Sequence, residues 1–133
     1  MPVTRRVLNA SPYQLLIVED HPLMRRMLRQ LLENEPDLRV SWEAESVESA
    51  LTQLGALEPD LILTDLSLPG ATGLELVKDL KRSRPELRCL VVTGHVEGMY
   101  RAAALDAGAV GFAVKDDPDE IIGAVRQALG FAV

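Results

Sequence analysis

Leu61-Ile62-Leu63-Thr64-Asp65-Leu66-Ser67-Leu68-Pro69-Gly70 carries the decisive reading of this chain. Three apolar residues in a row, without alternation, predict a short strand covered on both faces, as in a parallel sheet. The run ends on an acid, Asp65, and breaks at Pro69-Gly70, a turn pair. Leu74, Val77 and Leu80 then repeat at helical spacing. One βα unit is thus legible, and the same grammar extends in both directions. Leu15-Leu16-Ile17-Val18 and Cys89-Leu90-Val91-Val92 are further continuous runs, expected inside the sheet. Leu38, Val40, Trp42 and Ala44 alternate with Arg39, Ser41 and Glu43, which predicts an edge strand with one solvated face. Gly111-Phe112-Ala113-Val114 follows Ala107-Gly108-Ala109, a helix stop with glycine at its end, and is read as a fifth strand.

Helical spacing fills the gaps. Leu23, Met24, Met27, Leu28, Leu31 and Leu32 form an apolar stripe behind Pro22, a favoured first-turn residue. Val47, Ala50, Leu51 and Leu54 stand behind Ser46, an N-cap candidate. Ile121, Ile122, Val125 and Leu129 follow Pro118. A fourth helix, about Val96 to Ala107, has Gly98 inside it and mostly alanine faces, so it is expected to be the least stable. Five βα units around a parallel sheet make the chain an α/β protein.

Bulk properties narrow the function. The 133 residues suit one domain, with 47% hydrophobic and 26% charged residues. A formal net charge of −6 opposes wholesale nucleic-acid binding, since an acidic surface repels the phosphate backbone. The single cysteine, Cys89, sits in an apolar run, as expected for a buried thiol in a reducing, cytoplasmic setting. No apolar stretch is long enough to span a bilayer, and Arg5-Arg6 lacks the apolar core of a signal peptide after it, so no membrane partner is expected. Residues 1–13 read as a flexible leader, 14–130 as the domain, and 131–133 as its C-terminal end with no output domain.

In open α/β sheets, ligands bind beyond the carboxyl ends of the strands. Those positions hold Glu19-Asp20 after the first run, Asp65 after the third, Thr93 after the fourth and Lys115 after the fifth. Singly, each has an ordinary explanation: a cap, a turn opener, a loop residue, a solvated charge. Jointly they place three carboxylates, a hydroxyl and an ammonium on one rim. Clustered carboxylates repel unless a cation intervenes, and Mg²⁺ favours such oxygen donors. The set suits phosphoryl transfer to Asp65, with the ion and Lys115 neutralising charge and Thr93 donating a hydrogen bond.

The pieces LLIVEDHP (15–22), LILTDLSLPGATGLEL (61–76), LVVTGH (90–95) and GAVGFAVKD (108–116) together resemble response-regulator receiver domains of the CheY-like superfamily, over about Gln14 to Leu129. The EDHP and VKDD sequences are most similar to the NarL/LuxR-type branch. The resemblance implies a flavodoxin-like, doubly wound (βα)5 sheet of five parallel strands in the order 2-1-3-4-5. It implies that Asp65 accepts a phosphoryl group from a sensor histidine kinase or phosphotransfer protein. Asp20 would ligate Mg²⁺ directly and Glu19 through water, the Ser67 backbone carbonyl would complete the protein's share, and Thr93 and Lys115 would meet the phosphoryl group. Thr93 and Phe112 would be the switch pair, acting on a face of the fourth helix, fifth strand and fifth helix. That face or another helix face could form a homodimer, and DNA would be reached only through an output domain absent from this chain. Ser67 and His95 occupy positions that in relatives tune the phosphoryl lifetime.

Three departures stand out. Thr72 replaces a frequent Asp before Gly73, expected to alter the loop and not the chemistry. Asp116 follows Lys115 where many relatives have proline, so a cis bond there cannot be assumed. Phe112 lacks the hydroxyl of the frequent tyrosine, which leaves packing to bias its position. Alternatives are a pseudo-receiver that binds partners without taking phosphate, and an aspartyl-phosphate phosphatase. The phosphatase would need a general acid two residues beyond its nucleophile, where this chain has Ser67. A dinucleotide-binding protein would need a glycine-rich turn where this chain has Glu19-Asp20-His21-Pro22. Self-phosphorylation and slow dephosphorylation, without turnover of a separate substrate, are expected. His21 and His95 lack the partners of a metal site, and Met24 and Met27 read as core.

Overall fold

The computed structural model describes residues 11–94 and 98–130. Five strands alternate with five helices: β1 (Tyr13–Val18), α1 (Pro22–Glu33), β2 (Leu38–Ala44), α2 (Val47–Leu54), β3 (Leu61–Thr64), α3 (Gly73–Ser83), β4 (Cys89–Thr93), α4 (Gly98–Ala107), β5 (Gly111–Val114) and α5 (Pro118–Ala128). All pairings are parallel and the order is β2-β1-β3-β4-β5. The continuous apolar runs are therefore the three inner strands, because only inner strands are covered on both faces.

Strand parity splits the core into two layers. Leu15, Ile17, Leu61, Leu63 and Ala113 face α1 and α5, packing with Leu28, Leu32, Ile121 and Val125. Leu16, Val18, Ile62, Val91 and Phe112 face the other three helices, packing with Ala50, Leu76, Val77 and Ala104. Burial of these side chains removes apolar area from water at about 25 cal/mol per Å², and it fixes each strand's register, since a one-residue slip would exchange the two layers.

The helix signals are realised locally. Ser46 caps α2, its side chain accepting from the Ser49 N–H at 3.0 Å. Pro22 and Pro118 lie in first turns, and Asp117 caps α5 through the Glu120 N–H at 3.0 Å. Gly108 follows α4 with φ 116°, a conformation open to glycine at little cost. Thr72, read as a loop change, caps α3 in a reciprocal box with Glu75. No helix among the described residues is long and apolar enough to cross a membrane.

Three expectations need revision. β1 begins at Tyr13, which is buried in the α1/α5 layer, so the strand reaches one residue into the stretch read as a leader; residues 1–10 lie outside the described ones. On α1, only Leu28 and Leu32 are buried, whereas Leu23 is 62% and Met27 53% exposed. The apolar stripe is wider than the single sheet face that the helix covers. α4 is described from Gly98 onward; His95 and Val96, at the expected start of that helix, lie outside the described residues, as do 131–133.

The third revision concerns β2. Its register against β1 shifts between Leu15 and Leu16, which pair with Val40 and Trp42 and leave Ser41 as an extra residue. A one-residue bulge reverses facing beyond it. Leu38 and Val40 accordingly lie in the α1/α5 layer, while Trp42 and Ala44 belong to the opposite one. β2 is an edge strand, but its apolar residues serve both layers and do not line one face.

Candidate functional site

The carboxyl ends of β1, β3 and β5 bring the site together. The Glu19 N–H bonds the Ala44 carbonyl at 2.9 Å, holding the turn after β1 against the end of β2. The Asp65 N–H bonds the Val18 carbonyl at 3.1 Å and the Lys115 N–H the Thr93 carbonyl at 2.9 Å. Each functional residue is thus the first beyond its strand, still tied to the neighbouring one.

Glu19 is 1% exposed and Asp65 7%, whereas Asp20 is open to solvent. Lys115 lies between the two buried acids, with Nζ 2.8 Å from Asp65 Oδ2 and 2.6 Å from Glu19 Oε1. Burial opposes a charged lysine here, yet the close contacts of its ammonium with the Asp65 and Glu19 carboxylates outweigh it and hold its pKa above the ordinary lysine value. The other oxygens are also addressed: Asp65 Oδ1 accepts from the Leu66 N–H at 2.7 Å and Glu19 Oε2 from the His21 N–H at 3.1 Å. Glu19 Oε1, although close to Nζ, has no hydrogen-bond partner in good geometry.

Glu19, Asp20 and Asp65 each offer an oxygen within 4.8 Å of the others, a group able to hold a metal ion. Three carboxylates against one ammonium leave two negative charges in excess, which a further cation would offset. The donors are all oxygen, the preference of hard divalent cations. These residues line a cavity of about 380 Å³ with Ser67, His21 and Met24. A larger cavity of about 600 Å³, bordered by Leu54, Leu80 and Arg84, has no comparable cluster of acids; Arg84 there donates to the Leu54 carbonyl.

Of the residues expected at the site, Glu19, Asp20, Asp65, Ser67 and Lys115 converge. Thr93 is buried at the end of β4, joined to Lys115 through backbone, and Phe112 is 5% exposed in the α2/α3/α4 layer. Among the described residues every peptide bond is trans, Lys115–Asp116 included. The expectation that packing alone biases Phe112 is corrected: the Arg101 guanidinium sits over its ring, 5.0 Å from the centroid, a cation–π contact.

Two contributors carry signals that the sequence reading passed over. A Cβ on Gly73 would lie 1.9 Å from the Asp65 carbonyl oxygen. The start of α3 can approach the Asp65 backbone only because this residue has no side chain, and its N–H bonds the Leu66 carbonyl at 2.9 Å. Arg25 donates from Nη1 to the Glu19 carbonyl at 2.7 Å. Gly73 had a visible signal, a glycine opening a helix; Arg25 looked like solvated helix surface.

A sheet of this order, with two acids after β1, one after β3 and a lysine after β5, is the architecture of a receiver domain. The family model described as "Response regulator receiver domain" matches residues 15–126, and the chain belongs to that family of two-component signalling proteins. Within it, the relatives are of the NarL/LuxR type. The nitrate/nitrite response regulator NarP of Escherichia coli is 40% identical over 119 residues, covering 89% of this chain and 55% of NarP. The DNA-binding transcriptional activator DevR/DosR of Mycobacterium tuberculosis is 40% identical, covering 77% of this chain and 48% of its own length. A LuxR-family response regulator from Aurantimonas superposes with a TM-score of 0.85 at 32% identity, covering 90% of this chain and 86% of that one. The chain spans about half the length of the curated relatives it matches.

Proposed function

We propose that this chain is a phosphorylation switch in which Asp65 accepts a phosphoryl group from a sensor histidine kinase or a phosphotransfer protein. The observation that carries the reading is the pairing of Lys115 with both Glu19 and Asp65 inside the acidic cluster. A carboxylate oxygen of Asp65 attacks phosphorus, the phosphorus–nitrogen bond of the donor breaks, and the departing imidazole takes up a proton. Mg²⁺, held by Asp20, Asp65 and the Ser67 carbonyl with Glu19 reaching it through water, would supply charge neutralisation for this transfer. Lys115 orients Asp65 through their ion pair, and Thr93 approaches the added oxygens with its hydroxyl. The chain acts on itself and turns over no separate substrate, so it is a switch and not an enzyme in the usual sense.

Phosphorylation adds up to about two negative charges and three acceptor oxygens. The signal then leaves through α4, β5 and α5, toward a second copy of the chain or another partner. DevR/DosR is described as DNA-binding; contact with DNA here would need a domain beyond these residues. A cytoplasmic location fits the buried Cys89, whose thiol pKa burial pushes up to about 12.

The test is incubation with a small acyl-phosphate donor and Mg²⁺, then intact-mass measurement of wild type and Asp65→Asn. Wild type gains one phosphoryl group, the variant none, and chelation of Mg²⁺ prevents labelling. Equal labelling of both proteins would move the acceptor elsewhere. No labelling of wild type would favour the pseudo-receiver, an interaction module of the same fold.

A further inference from the structure

The bulge in β2 has a polar consequence as well as an apolar one. Without an extra residue at Ser41, Glu43 would share a face with Arg39 and Ser41. With it, Glu43 pairs in register with Ile17 and turns to the α1 side of the sheet. Bulges beside functional sites commonly re-aim a side chain in this way. Two arginines of α1 receive it: Arg25 Nε donates to Glu43 Oε1 at 2.9 Å, and Arg29 pairs with Glu43 Oε2. The backbone of Val40, next to the bulge, is satisfied from the same helix, its N–H donating to Glu33 at 2.9 Å and its carbonyl accepting from Arg29 at 3.2 Å.

The line of contacts ends at the acidic turn. Arg25 Nη1 donates to the Glu19 carbonyl at 2.7 Å, so one guanidinium joins Glu43 to the Glu19–Asp20 peptide. That peptide's orientation decides where the Asp20 side chain leaves the backbone. Arg25 is 21% exposed and Glu43 28%, positions where a planar fork held at two points is more ordered than a solvated arginine.

We propose that Arg25, braced by Glu43, is a positioning residue for the acidic turn: it fixes the Glu19–Asp20 peptide so that both carboxylates address a divalent cation beside Asp65. The bulge at Ser41 is what makes the brace possible. This inference rests on the receiver chemistry proposed above. Groups that orient ligands from behind typically contribute about 10- to 100-fold in metal affinity; with Glu19 and Asp20 still present, the lower end applies.

The sign of the effect separates positioning from simple electrostatics. Deleting a positive charge near three carboxylates should, by charge alone, tighten Mg²⁺ binding. Loss of positioning should weaken it. Calorimetric Mg²⁺ titration of the full chain is therefore expected to show Arg25→Gln weakened by about 10-fold, Glu43→Gln weakened less, and Arg25→Lys in between because it keeps the charge and loses the fork. Labelling by the acyl-phosphate donor at limiting Mg²⁺ should slow in the same order, and saturating Mg²⁺ should restore much of the rate. Unchanged or tighter binding in Arg25→Gln, with wild type binding normally, overturns the positioning role alone. A wild type that neither binds Mg²⁺ nor accepts phosphate overturns the receiver chemistry and this inference with it. Thermal melts accompany each variant, and the two conservative variants decide the matter if Arg25→Gln does not fold.

Discussion

The turn after β1 and the helix after β4 sit on the same edge of the sheet, and they are restrained very differently. Glu19 is held at its N–H by Ala44, at its carbonyl by Arg25 and at its carboxylate by the His21 N–H and Lys115. Asp65 is held as closely, with α3 pressed against its backbone at Gly73. α4 buries chiefly Ala104 and Ala107 in the layer that holds Phe112, exposes Met99 and Leu105, and places Arg101 over the Phe112 ring. Small alanine contacts stabilise weakly, so this element belongs to the low end of the local-stability range. The proposed switch would need that asymmetry: reacting groups in place before a phosphoryl group arrives, and an output element that moves for a few kcal/mol.

The largest effect should follow from breaking the rigid side at Gly73. In Gly73→Ala, a Cβ 1.9 Å from a backbone oxygen cannot be accommodated by rotating a side chain, so α3 or the Asp65 carbonyl must shift. Stability should fall by at least about 2 kcal/mol in urea melts, and labelling of Asp65 should slow by about 100-fold, the usual consequence of misplacing a reacting group by an ångström. Normal stability and normal labelling would mean that the acid side is not held as tightly as its contacts indicate.

Lys115→Met sharpens the comparison by removing the cation that two buried carboxylates share. Breaking a largely buried pair on one side leaves charge uncompensated, about 3 kcal/mol here. Mg²⁺ should return part of the loss, because a ligand that binds only the folded state stabilises it. Urea melts of both proteins with and without Mg²⁺ check this; a deficit that Mg²⁺ does not reduce would contradict it.

What the sequence made legible, and what it hid, follows from the range of each signal. Continuous runs such as Leu61-Ile62-Leu63 and the acids just beyond them are local, and they announced the inner strands and the converging site. In β5, Phe112 and Ala113 enter opposite layers, as strand alternation requires. The bulge at Ser41 stayed hidden because Leu38, Val40, Trp42 and Ala44 alternate without a break, and only pairing with β1 exposes the extra residue. Leu23 and Met27 misled because a stripe shows which side of a helix is apolar, not how much of it the sheet covers. Arg25, Gly73 and Arg101 act through groups 6, 8 and 11 positions away in the chain, contacts that no periodicity encodes.

The smallest effect on stability, and the most informative about the mobile side, should come from Arg101. Its guanidinium lies over the Phe112 ring, and Phe112 has no hydroxyl with which to hold a position of its own. A cation–π contact at an exposed site is worth about 0.5–1 kcal/mol, too little to threaten the fold but enough to change the balance between inward and outward rings by about 2- to 5-fold. Arg101→Ala should therefore melt almost like wild type while Phe112 spends more time away from the α2/α3/α4 layer. Arg101→Lys keeps the cation and should recover part of the bias. The chain has two phenylalanines, Phe112 and Phe131, so the ring signals are readily assigned by NMR. Broadened or shifted Phe112 signals in Arg101→Ala, with Asp65 and Lys115 amides unmoved, would place the bias in the output side alone. Unchanged Phe112 signals would show that packing against Val91 and Ala104 suffices, and disturbed Asp65 signals would show that the two sides are not separately restrained.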